Sequence, residues 1–192
     1  MLRVLKKIYP TPRDNNYELL NYDNEGLWSI THPQDANKIT ETILKLNNNN
    51  NQLKIIDLTA GCGGNLLSFG KYFSNVYGVE NNKLRFNILK TNLSCYDYNI
   101  NIINDDCFHH LNEKYDIFFI DPPWGGPEYK TNDNLKLYLS DLELEDIIEK
   151  IPKSKFIIIK IPYNYNYDYI KENYNILETQ NFNNIVMLYF KN

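Results

Sequence analysis

Residues 115–127 read YDIFFIDPPWGGP, and the fold turns on how this stretch is read. The apolar run from Tyr115 to Ile120 has the character of a strand buried on both faces of a parallel sheet. Pro122 and Pro123 have a fixed φ and no N–H, so they cannot extend a sheet ladder. The strand therefore opens into a loop, and the carbonyls of Asp121 and Pro122 are left to accept hydrogen bonds from something else. Trp124 follows at once, and Gly125 and Gly126 let the chain turn tightly beneath it. An acceptor side chain, a rigid pair of carbonyls and a flat aromatic ring make a receptor for a planar group bearing an NH2. The plainer reading is a Pro/Gly-rich turn whose Trp packs on the core. What precedes the stretch decides against that.

Upstream, LKIIDL (53–58) is a short apolar strand, and TAGCGGN turns it into a helix expected over Leu66 to Tyr72. NVYGVE is a second strand ending in Glu80, followed by a helix from Asn82 to Tyr96 with Leu84, Ile88, Leu89 and Leu93 on one side. NINIIN is a third strand, running into Asp105 and Asp106; YDIFFI is the fourth. Downstream, Leu142 to Ile151 reads as a helix and Lys155 to Ile161 (KFIIIKI) as the fifth strand. A further helix and a closing pair of strands are expected in the last stretch. Strands alternating with helices predict an α/β fold, a Rossmann-like, mainly parallel doubly wound sheet. Ligands of such sheets sit at the carboxyl ends of the strands, where the unusual residues of this chain lie.

The first of those ends, Asp57-Leu-Thr-Ala-Gly61-Cys-Gly63-Gly64-Asn65, is a glycine-rich strand-to-helix turn. Its G-x-G-G spacing is not the G-x-G-x-x-G of dinucleotide folds, and no Lys-Ser/Thr follows as in a P-loop. Asp57 would repel a phosphate and suits a cationic or amine-bearing ligand. Glu80 is placed to take both hydroxyls of a ribose, and Asp106 to accept from an adenine amine. Asp57, Gly61, Gly63, Asn65, Glu80 and Asp106 together describe a site for S-adenosyl-L-methionine better than one for NAD or ATP.

At 192 residues the chain is one domain, or a domain with a short arm. It has no apolar run long enough to span a membrane and no signal-peptide core at its start, so an intracellular protein, cytoplasmic or nuclear, is expected. The three cysteines, Cys62, Cys95 and Cys107, form no CxxC pair, which suits free thiols and excludes a structural zinc site. A net charge of −4 gives no global basic field for a long duplex and favours a small or terminal piece of nucleic acid. The abundance of Asn, Ile, Lys and Tyr reads as the codon bias of an AT-rich genome.

Residues 1 to about 25 are expected to be a polar, irregular arm, with Pro10 and Pro12 breaking any helix and Lys6, Lys7 and Arg13 making it locally basic. Pro33 opens a helix to about Leu46 with an apolar stripe of Ala36, Ile39, Ile43 and Leu46. Asn47 to Asn51 reads as the clearest linker. It divides an arm and covering helix, residues 1–50, from a catalytic domain, residues 51–192.

Four motifs of this chain resemble the trimethylguanosine synthase family, the cap-hypermethylating Rossmann methyltransferases. DNEGLWSIT (Asp23 to Thr31) resembles the family's DREGWFSVT, and DLTAGCGGNLLSF (Asp57 to Phe69) its D-x-x-x-G-x-G-G-N-x-x-x-F. DPPWGGPEY (Asp121 to Tyr129) resembles SPPWGGPDY, the most specific of the four, and IPYNYNYD (Ile161 to Asp168) resembles L-P-R-N-x-x-x-D. The resemblance implies methyl transfer from S-adenosyl-L-methionine to the N2 amine of a 7-methylguanosine RNA cap. It implies that Trp28 and Thr31 join the cofactor site, that Trp124 stacks on the methylated guanine, and that Tyr129, Lys130, Tyr163 and Asn164 lie on the substrate side. It also implies a minimal catalytic form, of a kind that large DNA viruses carry, which would then work in the host-cell cytoplasm. Two positions depart from the pattern. The family's Ser before the prolines is Asp121, as in the DPPW of adenine-N6 methyltransferases. Its phosphate-contacting Arg is Tyr163, so Lys130, Lys160 or the basic arm is expected to take that contact.

The catalytic residues expected are Asp121, Pro122 and Trp124, with capped RNA as partner, a monomeric state, and no metal or membrane. A new methyl turned toward the partly desolvated Asp121 carboxylate would deprive that charge of a partner, so a 2,7-dimethyl cap is favoured over the 2,2,7-trimethyl form. Two rivals stay open: a methyltransferase acting on another base amine, adenine N6 or an unmethylated guanine, and a non-catalytic cap-binding module.

Overall fold

The computed structural model describes residues 2–132 and 135–192. In chain order the elements are α1 (Leu2–Ile8), α2 (Asn24–Ser29), α3 (Pro33–Leu46), β1 (Lys54–Asp57), α4 (Gly64–Tyr72), β2 (Asn75–Val79), α5 (Lys83–Leu93), β3 (Ile100–Ile103) and β4 (Ile117–Ile120). There follow β5 (Tyr138–Leu139), β6 (Leu142–Glu143), α6 (Leu144–Lys150), β7 (Phe156–Pro162), α7 (Asp168–Asn173), β8 (Asn175–Phe182) and β9 (Ile185–Lys191). Seven strands form one sheet in the order β3-β2-β1-β4-β7-β9-β8. Its first five strands pair in parallel, and the β8–β9 hairpin closes it antiparallel against β7. This is the mainly parallel, doubly wound sheet that the alternating pattern predicts.

The strands read as continuous apolar runs because both faces of the sheet are covered. Period-two alternation then sorts their residues. Ile55, Ile117, Phe119, Phe156 and Ile158 face Ile39 and Ile43 of α3, Leu66 and Phe69 of α4 and Leu89 of α5. Ile56, Phe118, Ile120, Ile157, Ile159 and Ile161 face Leu144, Ile147 and Ile148 of α6 and Ile170 of α7. Each fully buried side chain of this kind contributes about 1.5–3 kcal/mol. The same alternation puts Asp57 of β1 and Lys160 of β7 on the α3–α5 face, and carried one residue past β4 it puts Asp121 there too. Because β4 and β7 pair in parallel with Ile120 opposite Ile159, Asp121 and Lys160 are also next in register.

The N-terminal arm is not irregular. Residues 2–8 form α1, and Leu5, Ile8, Tyr9, Tyr17 and Leu20 are buried against Leu67, Cys95 and Tyr96. Pro10 and Pro12 follow the helix instead of preventing it. A buried amide pins the arm to α5: Asn92 Nδ2 lies 2.8 Å from the Tyr9 hydroxyl and 2.9 Å from the Asn21 carbonyl, and Asn92 Oδ1 accepts from the Asn21 N–H at 2.8 Å.

Three smaller expectations change. Leu84 is 77% exposed, because α5 turns Leu89 and Asn92 inward instead. The helix expected from Leu142 starts at Leu144, since Leu142 and Glu143 pair with β5 as a small hairpin. The asparagine run is a tethered turn: Asn47 Nδ2 donates to the Ile43 carbonyl at 2.9 Å, and the Asn51 carbonyl accepts from Ser74 at 3.0 Å.

Candidate active site

The carboxyl ends of β1, β2 and β4 bring Asp57, Glu80 and Asp121 together beside the glycine turn. Asp57 is buried, and its Oδ1 accepts from the N–H and hydroxyl of Thr59 at 2.9 and 3.2 Å. Burial, reinforced by the charges of Asp121 and Glu80, pushes its pKa up to about 7. Glu80 accepts from the Gly61 N–H through Oε2 at 3.0 Å and from the Asn82 N–H through Oε1 at 2.8 Å. Burial raises the Glu80 pKa too, against those two N–H groups and Arg85. Gly61 and Gly63 turn with φ of +55° and +102°.

Over this turn lies the segment carrying α2. Asp23 caps α2 by accepting from the Gly26 N–H at 2.6 Å, and Arg85 of α5 binds Asp23 at 2.9 Å and Glu25 at 2.5 Å. Gly26 meets the turn so closely that a Cβ there would stand 2.6 Å from Cys62 Sγ. Further along, Thr31 Oγ1 accepts from Asn65 Nδ2 at 3.1 Å. Trp28, on the outer side of α2, is 78% exposed.

The loop after β4 begins with the Asp121 N–H donating to Thr59 Oγ1 at 2.8 Å. The Asp121 carboxylate is not partnerless: Oδ2 binds the Lys160 ammonium at 2.7 Å, with both side chains largely buried. Burial raises the Asp121 pKa and Lys160 pulls it back. Lys160 also donates to Thr31 Oγ1 at 3.0 Å and to the Ser29 carbonyl at 3.5 Å. It is only 4% exposed and therefore cannot take the external phosphate contact expected of it. A lysine in a central strand otherwise made of Phe, Ile and a closing Pro is the signal that would have given this away, because a buried ammonium needs a partner.

Among the described residues no hydrogen bond reaches the Pro122 carbonyl. Gly125 and Gly126 carry φ of +83° and +78°, which favours glycine in this loop. Trp124 is half-buried and meets Tyr129 edge-on, with ring centroids 5.1 Å apart. Lys160 Nζ lies 5.5 Å from its ring centroid, and its Nε1 is buried with no hydrogen-bond partner. Both rings line a cavity of about 760 Å³, together with Pro123, Leu135, Lys136 and Tyr138. Lys130 is exposed beside the Tyr129 ring, and Tyr163 is 52% exposed. Asn164 straps the loop, donating to the carbonyls of Tyr129 at 2.8 Å and Asn132 at 3.0 Å. Asp106, after β3, caps the following turn: its Oδ1 accepts from the Phe108 N–H at 2.8 Å and from the Ser140 hydroxyl. Burial works against those two bonds, which still hold its pKa low.

The donor set fits S-adenosyl-L-methionine, which presents two cations and two ribose hydroxyls. Of the three carboxylates, only Asp121 is paired with a lysine among the described residues, and Asn65 Oδ1 is buried without a partner. The nearby thiol is not nucleophilic, since burial pushes the Cys62 pKa up to about 11. Among the described residues no group of His, Cys, Asp and Glu could hold a metal ion, and no helix is long and apolar enough to cross a membrane.

Comparison with known proteins adds to this geometry. A family model described as RNA cap guanine-N2 methyltransferase matches residues 52–192. An uncharacterized protein of Acanthamoeba polyphaga mimivirus is 33% identical over 86% of this chain and 76% of its own length. The trimethylguanosine synthase of Schizosaccharomyces pombe is 30% identical over 66% of this chain. The chain spans 56% of that enzyme and 76% of the mimivirus protein. Among solved structures, the 16S rRNA N2 G1207 methyltransferase of T. thermophilus, in complex with AdoMet and guanosine, superposes with a TM-score of 0.62. It is 15% identical and covers 89% of this chain and 43% of its own, a likeness of fold. A class I S-adenosylmethionine-dependent methyltransferase from Listeria monocytogenes gives 0.58 at 12% identity, covering 82% of this chain and 58% of its own.

Proposed function

Because this chain belongs to the RNA cap guanine-N2 methyltransferase family, we propose that it methylates the N2 amine of a 7-methylguanosine RNA cap. The observation that carries this reading is the DPPW loop at the end of β4, where an acceptor pair adjoins a cavity walled by Trp124 and Tyr129. The 7-methylguanine stacks on Trp124, and its amine donates to Asp121 and to the Pro122 carbonyl. Guanine N2 is a poor nucleophile because its lone pair is delocalised into the ring. Two acceptors on its N–H groups turn that lone pair out of conjugation and stabilise the positive charge that grows on N2. S-adenosyl-L-methionine supplies an already activated methyl, so the residues of the site have mainly to position the amine and exclude water. Asp57 and Asn65 hold cationic and amine groups of the cofactor, Glu80 its ribose hydroxyls, and Trp28 and Thr31 cover it. With Lys160 buried and the cavity-lining Lys136 paired with Glu143, Lys130 or the basic arm is left to meet the cap phosphates.

One added methyl, giving the 2,7-dimethyl cap, follows from the acceptor pair. After one transfer a single N–H remains, and directing it to Pro122 turns the new methyl toward Asp121. Depriving a buried carboxylate oxygen of its donor costs about 1–3 kcal/mol. Lys160 keeps Oδ2 partnered throughout, which confines that cost to Oδ1. Asp in the position before the two prolines favours a second reading, transfer to adenine N6. The test compares kcat/KM on a 7-methyl cap analogue, GTP and adenine nucleotides. The cap analogue is expected to exceed GTP clearly; equal values, or preference for adenine, would overturn the cap reading.

Cofactor binding should be coupled to a proton on Asp57. In the folded protein this carboxyl titrates at about 7, against an ordinary value of 3.8. The raised value stabilises the fold below the ordinary pKa, and that stabilisation is lost as pH rises through about 7. A cationic ligand prefers the carboxylate and so expels the proton. Affinity should therefore fall as pH drops below about 7, approaching about tenfold per pH unit. Calorimetry at pH near 6 in two buffers of different ionisation enthalpy should report proton release, abolished in Asp57→Asn. Buffer-independent heats in the wild type would contradict the assignment.

A further inference from the structure

Lys160 is the most connected side chain at the site, and the reaction proposed above uses only its bond to Asp121. An ammonium has three N–H donors, and acceptors from two separate segments meet them: Asp121 Oδ2 at 2.7 Å on one side, Thr31 Oγ1 at 3.0 Å and the Ser29 carbonyl at 3.5 Å on the other. We propose that Lys160 is a positioning residue that holds the Asp121 carboxylate as an acceptor and ties the amine-receiving loop to the segment carrying α2.

The segment is secured at both ends. Arg85 clasps Asp23 and Glu25 at its start, and Lys160 and Asn65 meet at Thr31. Near Thr31 the packing is close enough that a Cβ on Gly64 would stand 3.1 Å from the Thr31 backbone. The receptor loop is thus coupled through one ammonium to the chain that lies over the glycine turn. On the other side of the tie, the charged group that acts on Asp121 is Lys160 from β7, while the Asp57 carboxyl from β1 responds to the Asp121 charge by holding its own proton more tightly. Burial favours protonated Asp121, and Lys160 opposes it. A protonated Asp121 would be a weaker acceptor for an amine whose N–H groups need acceptors. The acceptor role rests on the proposed methyl transfer; the tie does not.

Hydrogen exchange without substrate tests the tie. In Lys160→Met, amides of residues 24–31 should exchange faster by on the order of tenfold, with the core strands unchanged. If that variant does not fold, Lys160→Met/Asp121→Asn, which removes both charges, carries the same measurement. Unchanged exchange over 24–31 overturns the tie, whatever the substrate proves to be. The acceptor role is read from the pH profile of kcat at saturating cofactor. Lys160→Met should lose activity toward low pH relative to the wild type, as an unpaired Asp121 takes up a proton, and adding Asp121→Asn should remove that extra limb. A Lys160→Met profile that matches the wild type overturns the acceptor role.

Discussion

Trp124→Ala is expected to lower kcat/KM on a 7-methylguanosine cap by roughly one to three orders of magnitude. Stacking of a base on an aromatic ring contributes about 1–3 kcal/mol. The positive charge of the 7-methylated base adds a cation–π contribution of about 0.5–2 kcal/mol, and each 1.4 kcal/mol is about tenfold. Only the first contribution applies to GTP, so the same substitution should also erase most of the preference for the cap. Trp124 packs partly on the core, so Trp124→Phe, which keeps a ring in place, should retain part of both effects. Steady-state kinetics on the two substrates with the three proteins measure this. A preference that survives Trp124→Ala would place the base elsewhere.

Asp121→Ala is expected to have the largest effect on stability at the site. It leaves the Lys160 ammonium in a position only 5% exposed. Breaking a buried pair by removing one partner costs about 3–5 kcal/mol, and the low end applies because Lys160 keeps Thr31 and the Ser29 carbonyl. At about 2–4 °C per kcal/mol for a chain of this size, Tm should fall by roughly 6–12 °C. Asp121→Ala/Lys160→Met should recover much of the loss, because removing both charges is far less costly than removing one. A double variant no more stable than Asp121→Ala would mean that the pair does not set the stability of the site.

The sheet was legible because its strands are short apolar runs delimited by acids, glycines and prolines, so that their ends could be placed almost to the residue. The same punctuation marked Asp57, Glu80 and Asp121 as strand-end acids. What escaped was whatever depended on partners distant in the chain. The arm looked irregular because its polar residues outnumber Leu5, Ile8 and Tyr9, and nothing local announces that Asn92 of α5 will receive it. The Arg85 clasp joins residues about sixty apart and leaves no local trace. Lys160 is different. Its place in an apolar strand required a buried partner, and the parallel register of β4 and β7 would have supplied Asp121. A lysine near a phosphate-bearing ligand is not available to it when its ammonium is buried and paired.

The central claim is methyl transfer to guanine N2 of a 7-methylated cap, and the most direct measurement is mass spectrometry of a 7-methyl cap analogue incubated with the protein and S-adenosyl-L-methionine. Fragmentation should locate the transferred methyl on guanine N2, with the 2,7-dimethyl product accumulating before any further addition. Failure to methylate the analogue under conditions where the protein binds the cofactor, or a methyl located on any atom other than N2, would contradict the account.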